Sequence, residues 1–166
     1  MRIDNSIKGI KVKKGNKETI INGIKAVEGG TIIIPWVANT PFYWIQDSVV
    51  QDTHPSAYNV TSVTSGTYYR NTLTEFYMTG NASANSTFKG VTDSVDTRRN
   101  KYMEVVVASM KGASCKLTVL DTEITTAGTY TIDVSGVDTV AIALDITASA
   151  GGNEATANIS SIRFYS

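Results

Sequence analysis

From Thr139 to Thr147 the chain reads TVAIALDIT. Val140, Ile142, Leu144 and Ile146 fall on one side of an extended backbone, and Ala141, Ala143 and Asp145 on the other. Side chains alternate faces along a strand, so this is a strand with one apolar face toward a core. The pattern repeats outward. TYTIDV sets Tyr130, Ile132 and Val134 against Thr131 and Asp133, and Ser135-Gly136-Val137-Asp138 turns the chain between the two strands. YMEVVVASM, from Tyr102 to Met110, is a β-branched run fit for a core strand. KLTVL follows the Lys111-Gly112-Ala113 turn with Leu117 and Val119 on one face, and ISSIRFY closes the chain with Ile162 and Phe164 together. Five strands in about 65 residues is the spacing of a sandwich.

Composition agrees. Charged residues are 18% of the chain, below the usual ~25%, and hydroxyls take their place: Ser and Thr make up roughly a fifth of the chain, whereas Leu occurs only at positions 73, 117, 120 and 144. Thr is stiff at its branched β-carbon and suits strands. No stretch carries helical amphipathicity. The 166 residues allow one well-filled core. The expectation is an all-β, antiparallel, jelly-roll-like β-sandwich over residues 31–166, preceded by a basic hairpin or arm over residues 1–30.

The N-terminal part supports the arm. Lys14-Gly15-Asn16 is a hairpin signal after Ile10 and Val12, Gly23 fits a bulge, and Glu28-Gly29-Gly30 fits a turn. TIIIPW, from Thr31 to Trp36, reads as a fully buried strand ending at an edge-type proline, and Phe42–Ile45 as another short one. Between Asp47 and Asn100 the pattern weakens. Strand material surrounds Gly66, and GNASANSTFKG and TDSVDTRRN read as exposed loops.

Net charge is zero, but the first 28 residues carry seven basic side chains against three acidic ones, a local +4. Lys8, Lys11, Lys13, Lys14, Lys17 and Lys25 are therefore candidate docking residues for an acidic partner surface. No basic field large enough for nucleic acid exists, and no run is long enough to cross a membrane.

The candidates for chemistry are few. His54, in QDTHPS, is the single histidine, and no G-x-S-x-G accompanies it. Cys115 is alone, which excludes an internal disulfide, and its strand context suits a buried small hydrophobe. No His/Cys cluster suggests zinc. Asp93 with Asp96, or Asp121 with Glu123, could contribute oxygens to a structural calcium, but neither fits an EF-hand loop. Asp47, Asp52 and Glu75 are acids that glycoside hydrolysis would need in facing pairs. N-x-S/T patterns at Asn59, Asn81, Asn85 and Asn158 are expected by chance in so Asn- and Thr-rich a chain. The reading is a non-enzyme without cofactor.

The aromatics are more informative. Trp36, Phe42, Tyr43 and Trp44 cluster, and Tyr58, Tyr68, Tyr69, Phe76 and Tyr77 follow. Exposed aromatics stack on sugar rings or anchor protein interfaces. Trp36, Phe42, Tyr43, Trp44, Tyr68 and Tyr69 are thus candidate interface or glycan contacts.

AGTYTIDVSGVDTVAIALDITASAGGNEATANISSIRFY, residues 127–165, resembles the closing strands of jelly-roll accessory domains. These are found in carbohydrate-binding modules and in accessory proteins of tailed bacteriophage virions. The resemblance implies a capsid-decoration or tail-associated subunit, and because symmetry multiplies weak contacts the expectation is a homo-oligomer, with a trimer favoured. Its partners would be other virion proteins and host surface glycans. MRIDNSIKG lacks the apolar run of a signal peptide, so synthesis in the host cytoplasm and incorporation into a virion is the expected route. The alternative is a carbohydrate-binding module recognising a polysaccharide through surface aromatics.

Overall fold

The computed structural model describes residues 10–14, 17–21, 27–28, 31–32, 41–51 and 54–166, the first four segments by their backbone. The chain divides into two compact units, Met1–Thr40 and Pro41–Ser166.

In the first unit, β1 (Ile10–Lys14) and β2 (Lys17–Ile21) form the expected antiparallel hairpin. Lys14 stands opposite Lys17, which leaves Gly15 and Asn16 as the two-residue connection. A shorter pair, β3 (Val27–Glu28) and β4 (Thr31–Ile32), spans Gly29 and Gly30 in the same way. The expected bulge at Gly23 and the rest of the TIIIPW strand lie outside the described residues.

The second unit is an all-β, antiparallel sandwich. Its strands are β5 (Phe42–Gln46), β6 (Val49–Val50), β7 (Asn59–Val63), β8 (Tyr69–Arg70), β9 (Phe76–Thr79), β10 (Ser86–Val91), β11 (Val95–Asp96), β12 (Tyr102–Lys111), β13 (Ser114–Val119), β14 (Thr122–Ile124), β15 (Gly128–Asp133), β16 (Thr139–Val140), β17 (Ile142–Ala148) and β18 (Glu154–Tyr165). One sheet runs β15-β12-β18-β5-β6, with β9 also on β18 and β8 on β9; the other runs β14-β13-β17-β10-β7. Taking β5, β10, β12, β13, β14, β15, β17 and β18 as first to eighth, the sheets read 1-8-3-6 and 2-7-4-5, a jelly-roll-like order.

The alternations that decide the fold point where the sequence puts them. Val140, Ile142, Leu144 and Ile146 are buried, as are Met103, Val105 and Val107 from β12. They meet Leu117, Val119, Ile132, Ile159, Ile162 and Phe164 in one cluster fed by both sheets. The long strand β18 changes phase midway. Val106 pairs with Ser161 but Val107 with Ile159, so Ser160 is an extra residue opposite β12. This bulge lets Ile159 and Ile162 both face inward three positions apart.

Two loop expectations are corrected. The end of GNASANSTFKG is β10, an interior strand between β17 and β7 with Ser86 and Phe88 buried. Its inward Gly90 stands so close to Tyr58 that a β-carbon would lie 2.8 Å from that of the tyrosine; a small residue there marks close packing, not a loop. TDSVDTRRN contains β11, which pairs with β16, and both Val95 and Thr97 are buried.

The buried hydroxyls explain part of the Ser/Thr richness. Ser86 Oγ accepts from Asn81 N–H at 3.1 Å, Thr92 Oγ1 from Ile142 N–H at 3.0 Å, and Thr97 Oγ1 donates to Val137 O at 2.6 Å. Each hydroxyl pairs with a backbone group in a loop, in a turn or at a strand end.

Candidate functional site

The candidate aromatics among the described residues do not form one platform. Trp44 is fully buried, and its Nε1–H donates to Pro55 O at 2.8 Å. It belongs to the core of its own sandwich, which removes it as a contact for a sugar or a second subunit. Phe42 is half-buried against His54 and Phe164, at ring separations of 4.8 and 5.5 Å. Tyr43 is half-buried, and Tyr69 packs at 5.2 Å on Phe88. Tyr68 is the exposed one, at 65%. Trp36, Lys8 and Lys25 lie outside the described residues. Lys11, Lys13 and Lys14 sit in β1 and Lys17 in β2, across the hairpin.

Around Tyr68 the fold makes a trough. β18 pairs on one side with β9 over Glu154–Ala157 and with β5 over Ile162–Phe164. From Asn158 to Ser161 neither strand reaches it. The gap is spanned by single bonds: Ser48 N–H donates to Ser160 O at 2.9 Å, and Ser161 Oγ–H to Ile45 O at 3.3 Å. Two cavities open over this interval. One, of about 220 Å³, is lined by Tyr68, Arg70, Glu75, Tyr77, Thr156 and Asn158. The other, of about 310 Å³, is lined by Ser48, Thr74, Glu75, Ala108, Asn158 and Ser160. Glu75 and Asn158 belong to both, so the two abut.

The polar groups of the trough are held from behind. Thr72 Oγ1 donates to Glu75 O at 2.9 Å and accepts from Glu75 N–H at 3.1 Å, which fixes the turn carrying Glu75. Arg70 Nη1 meets Glu75 Oε2 at 2.8 Å with both side chains over half exposed, a pair whose value lies in orientation more than stability. Tyr77 stands edge-on to Tyr68, with ring centroids 6.3 Å apart, and its hydroxyl donates to Glu154 Oε1 at 3.2 Å. Local desolvation first, then the Glu154 carboxylate, pushes the Tyr77 phenol above its ordinary value. Asn158 Oδ1 is buried and has no donor.

Sequence reasoning picked out Tyr68, but took Glu75 only as a hydrolytic acid and Asn158 only as a chance N-x-S/T pattern, and passed over Arg70. Their meeting depends on where β9 stops and β5 begins along β18. The polar positions between the inward Phe76 and Met78, and between Ala157 and Ile159, were the available signal.

The catalytic and metal candidates remain scattered. His54 is half-buried, with Nδ1 3.3 Å from Gln51 O. Cys115 is half-buried rather than fully enclosed, with Sγ 3.6 Å from Thr156 O. Burial pushes its thiol up to about 12, so it stays protonated near neutrality. It lines a cavity of about 570 Å³ beside the β12–β13 turn, with Lys111, Lys116 and Asp145. Asp93, Asp96, Asp121 and Glu123 are exposed; Asp96 bonds Arg98, which holds its carboxyl down at about 2. Among the described residues no group of three or more His, Cys, Asp or Glu could hold a metal ion. Asp47 is an exposed turn residue, and Asp52 lies outside the described residues. Among the described residues no helix is long and apolar enough to cross a membrane. In comparisons with known proteins, no family model, no curated protein and no solved structure matches this chain.

Proposed function

We propose that the protein is a non-catalytic virion structural subunit, a capsid-decoration or tail-associated protein of a bacteriophage, which attaches through its N-terminal unit and presents its sandwich outward. One observation carries this reading: charge divides where the chain divides. Residues 1–40 hold seven basic and three acidic side chains, +4, and residues 41–166 hold eight and twelve, −4. A cationic unit joined along the chain to an anionic one supplies the end that docks on an acidic surface, and the attraction weakens as salt screens it. Among the described residues the core of the sandwich, Trp44 included, is drawn from residues 41–166, and on this reading the sandwich folds without the attachment.

Attachment of so small a domain gains from symmetry, since a ring of identical copies multiplies a weak contact. The reading therefore includes a homo-oligomer, with a trimer favoured. Sedimentation velocity of the full chain tests this part: a closed oligomer at micromolar concentration supports it, and a strict monomer both alone and on the particle removes it.

A further inference from the structure

We propose that the trough between β9 and β5 binds a neutral polysaccharide, gripping consecutive pyranose units without cleaving them. This goes beyond the attachment reading and does not rest on it.

The argument begins with Tyr68. A ring exposed to 65% on a small domain is open to a partner, and this one is pre-set: its backbone oxygen accepts the Thr79 N–H at 3.1 Å, and its ring is held in a T-shaped pair with Tyr77. A rigid, amphipathic aromatic supplies contact area with little ordering cost. The C–H face of a pyranose is its natural complement, and the sugar hydroxyls then fall toward the polar lining. There Arg70 offers donors and Glu75 acceptors, 2.8 Å apart in a neutral pair. Arg70 and Glu75 neutralise each other and Glu154 is engaged by the Tyr77 hydroxyl, so the lining leaves no free cation for a polyanion and favours an uncharged chain over an anionic one.

A second observation comes from the β18 strand. Asn158 lines both cavities, and its Oδ1 is buried without a donor. Such an acceptor is costly unless something donates to it, and a ligand hydroxyl supplies that bond once the Asn158 side chain turns toward the trough. The abutting cavities, of about 220 and 310 Å³, together fall in the size range of ligand sites, ~300–1,000 Å³. The site is therefore built for more than one sugar unit.

The test uses the full chain, labelled with nitrogen-15, titrated to millimolar concentrations with cellohexaose, maltohexaose, mannohexaose and a hyaluronan hexasaccharide. At least one neutral hexaose should shift the amide signals of residues 68–77 and 156–160. Tyr68→Ala, a surface change that leaves the fold intact, should weaken that binding about tenfold, and Asn158→Ala should weaken it as well. No shift with any neutral hexaose, shifts confined to other regions, or an affinity unchanged by Tyr68→Ala would overturn the proposal. Tighter binding of the hyaluronan fragment would overturn the assignment to neutral sugars. Failure here leaves particle attachment untouched, because no residue of the trough lies in residues 1–40.

Discussion

Gly80 and Ser149 approach so closely that a β-carbon on the glycine would lie 1.8 Å from the serine's carbonyl oxygen. The contact draws two polar loops together. Gly80 N–H donates to Asn153 O at 2.8 Å, Gly151 N–H to Asn81 O at 2.9 Å, and Ala150 N–H to Asn85 Oδ1 at 3.0 Å. The obstacle is backbone, which cannot rotate away. Gly80→Ala should therefore lower unfolding free energy by about 1–3 kcal/mol, read from urea denaturation. A wild-type midpoint would show that the loops separate without cost.

Phe88 lies at the centre of an aromatic group, 4.6 Å from Phe76 and 5.2 Å from Tyr69 between ring centroids, and is fully buried. Phe88→Ala should cost about 3–5 kcal/mol and bring the thermal midpoint down sharply. A loss below about 1 kcal/mol would mean that β10 is not the interior strand described above.

The β5–β6 turn runs through Asp47 and Ser48 with φ of 52° and 61°. Two consecutive positive φ values match the mirror-image turn that joins two-residue hairpins, a place where glycine is favoured. Ser48→Gly should raise stability by about 0.5–1 kcal/mol, because the backbone bond from residue 48 to Ser160 needs no side chain. A destabilised variant would instead assign the Ser48 hydroxyl a role in the hairpin.

Alkaline pH should weaken the fold through the buried Tyr58 and the half-buried Cys115. Cys115 has an ordinary value of 9.0 and is held up to about 12 by burial, and burial pushes the Tyr58 phenol up as well. Both native values are raised. The stabilising difference is therefore complete below the unfolded values, and is lost as pH rises above them, where the unfolded chain releases protons that the folded chain retains. The urea midpoint should fall between neutrality and about pH 11, and Cys115→Ala should fall less. An equal fall in both would assign the effect to Tyr58 and the other tyrosines.

The parts of the fold that could be read from the sequence are those where burial follows a period of two without interruption. TVAIALDIT and TYTIDV meet that condition, and their faces were readable residue by residue. β10 does not. Its inward positions are Ser86, Phe88 and Gly90, and two of the three look like loop residues because one satisfies a backbone amide and the other makes room for Tyr58. Trp44 was legible as an aromatic but not as a buried one. Alternation in FYWIQ is broken, since Trp44 and Ile45 are both inside. The trough was legible only in Tyr68. Asn158 enters it because β9 and β5 occupy different lengths of β18, a relation between segments some eighty residues or more apart in sequence.

The most direct measurement of the attachment claim is a density-gradient separation of particles from lysates of cells that make the protein, probed with an antibody to the sandwich. The full chain should band with the particles at low salt and shift to the free fraction as salt rises. A chain lacking residues 1–40 should stay free while its circular dichroism remains that of a folded β-sandwich. A full chain with no particle-bound fraction, or a truncated chain that bands with particles as the full one does, would contradict the account.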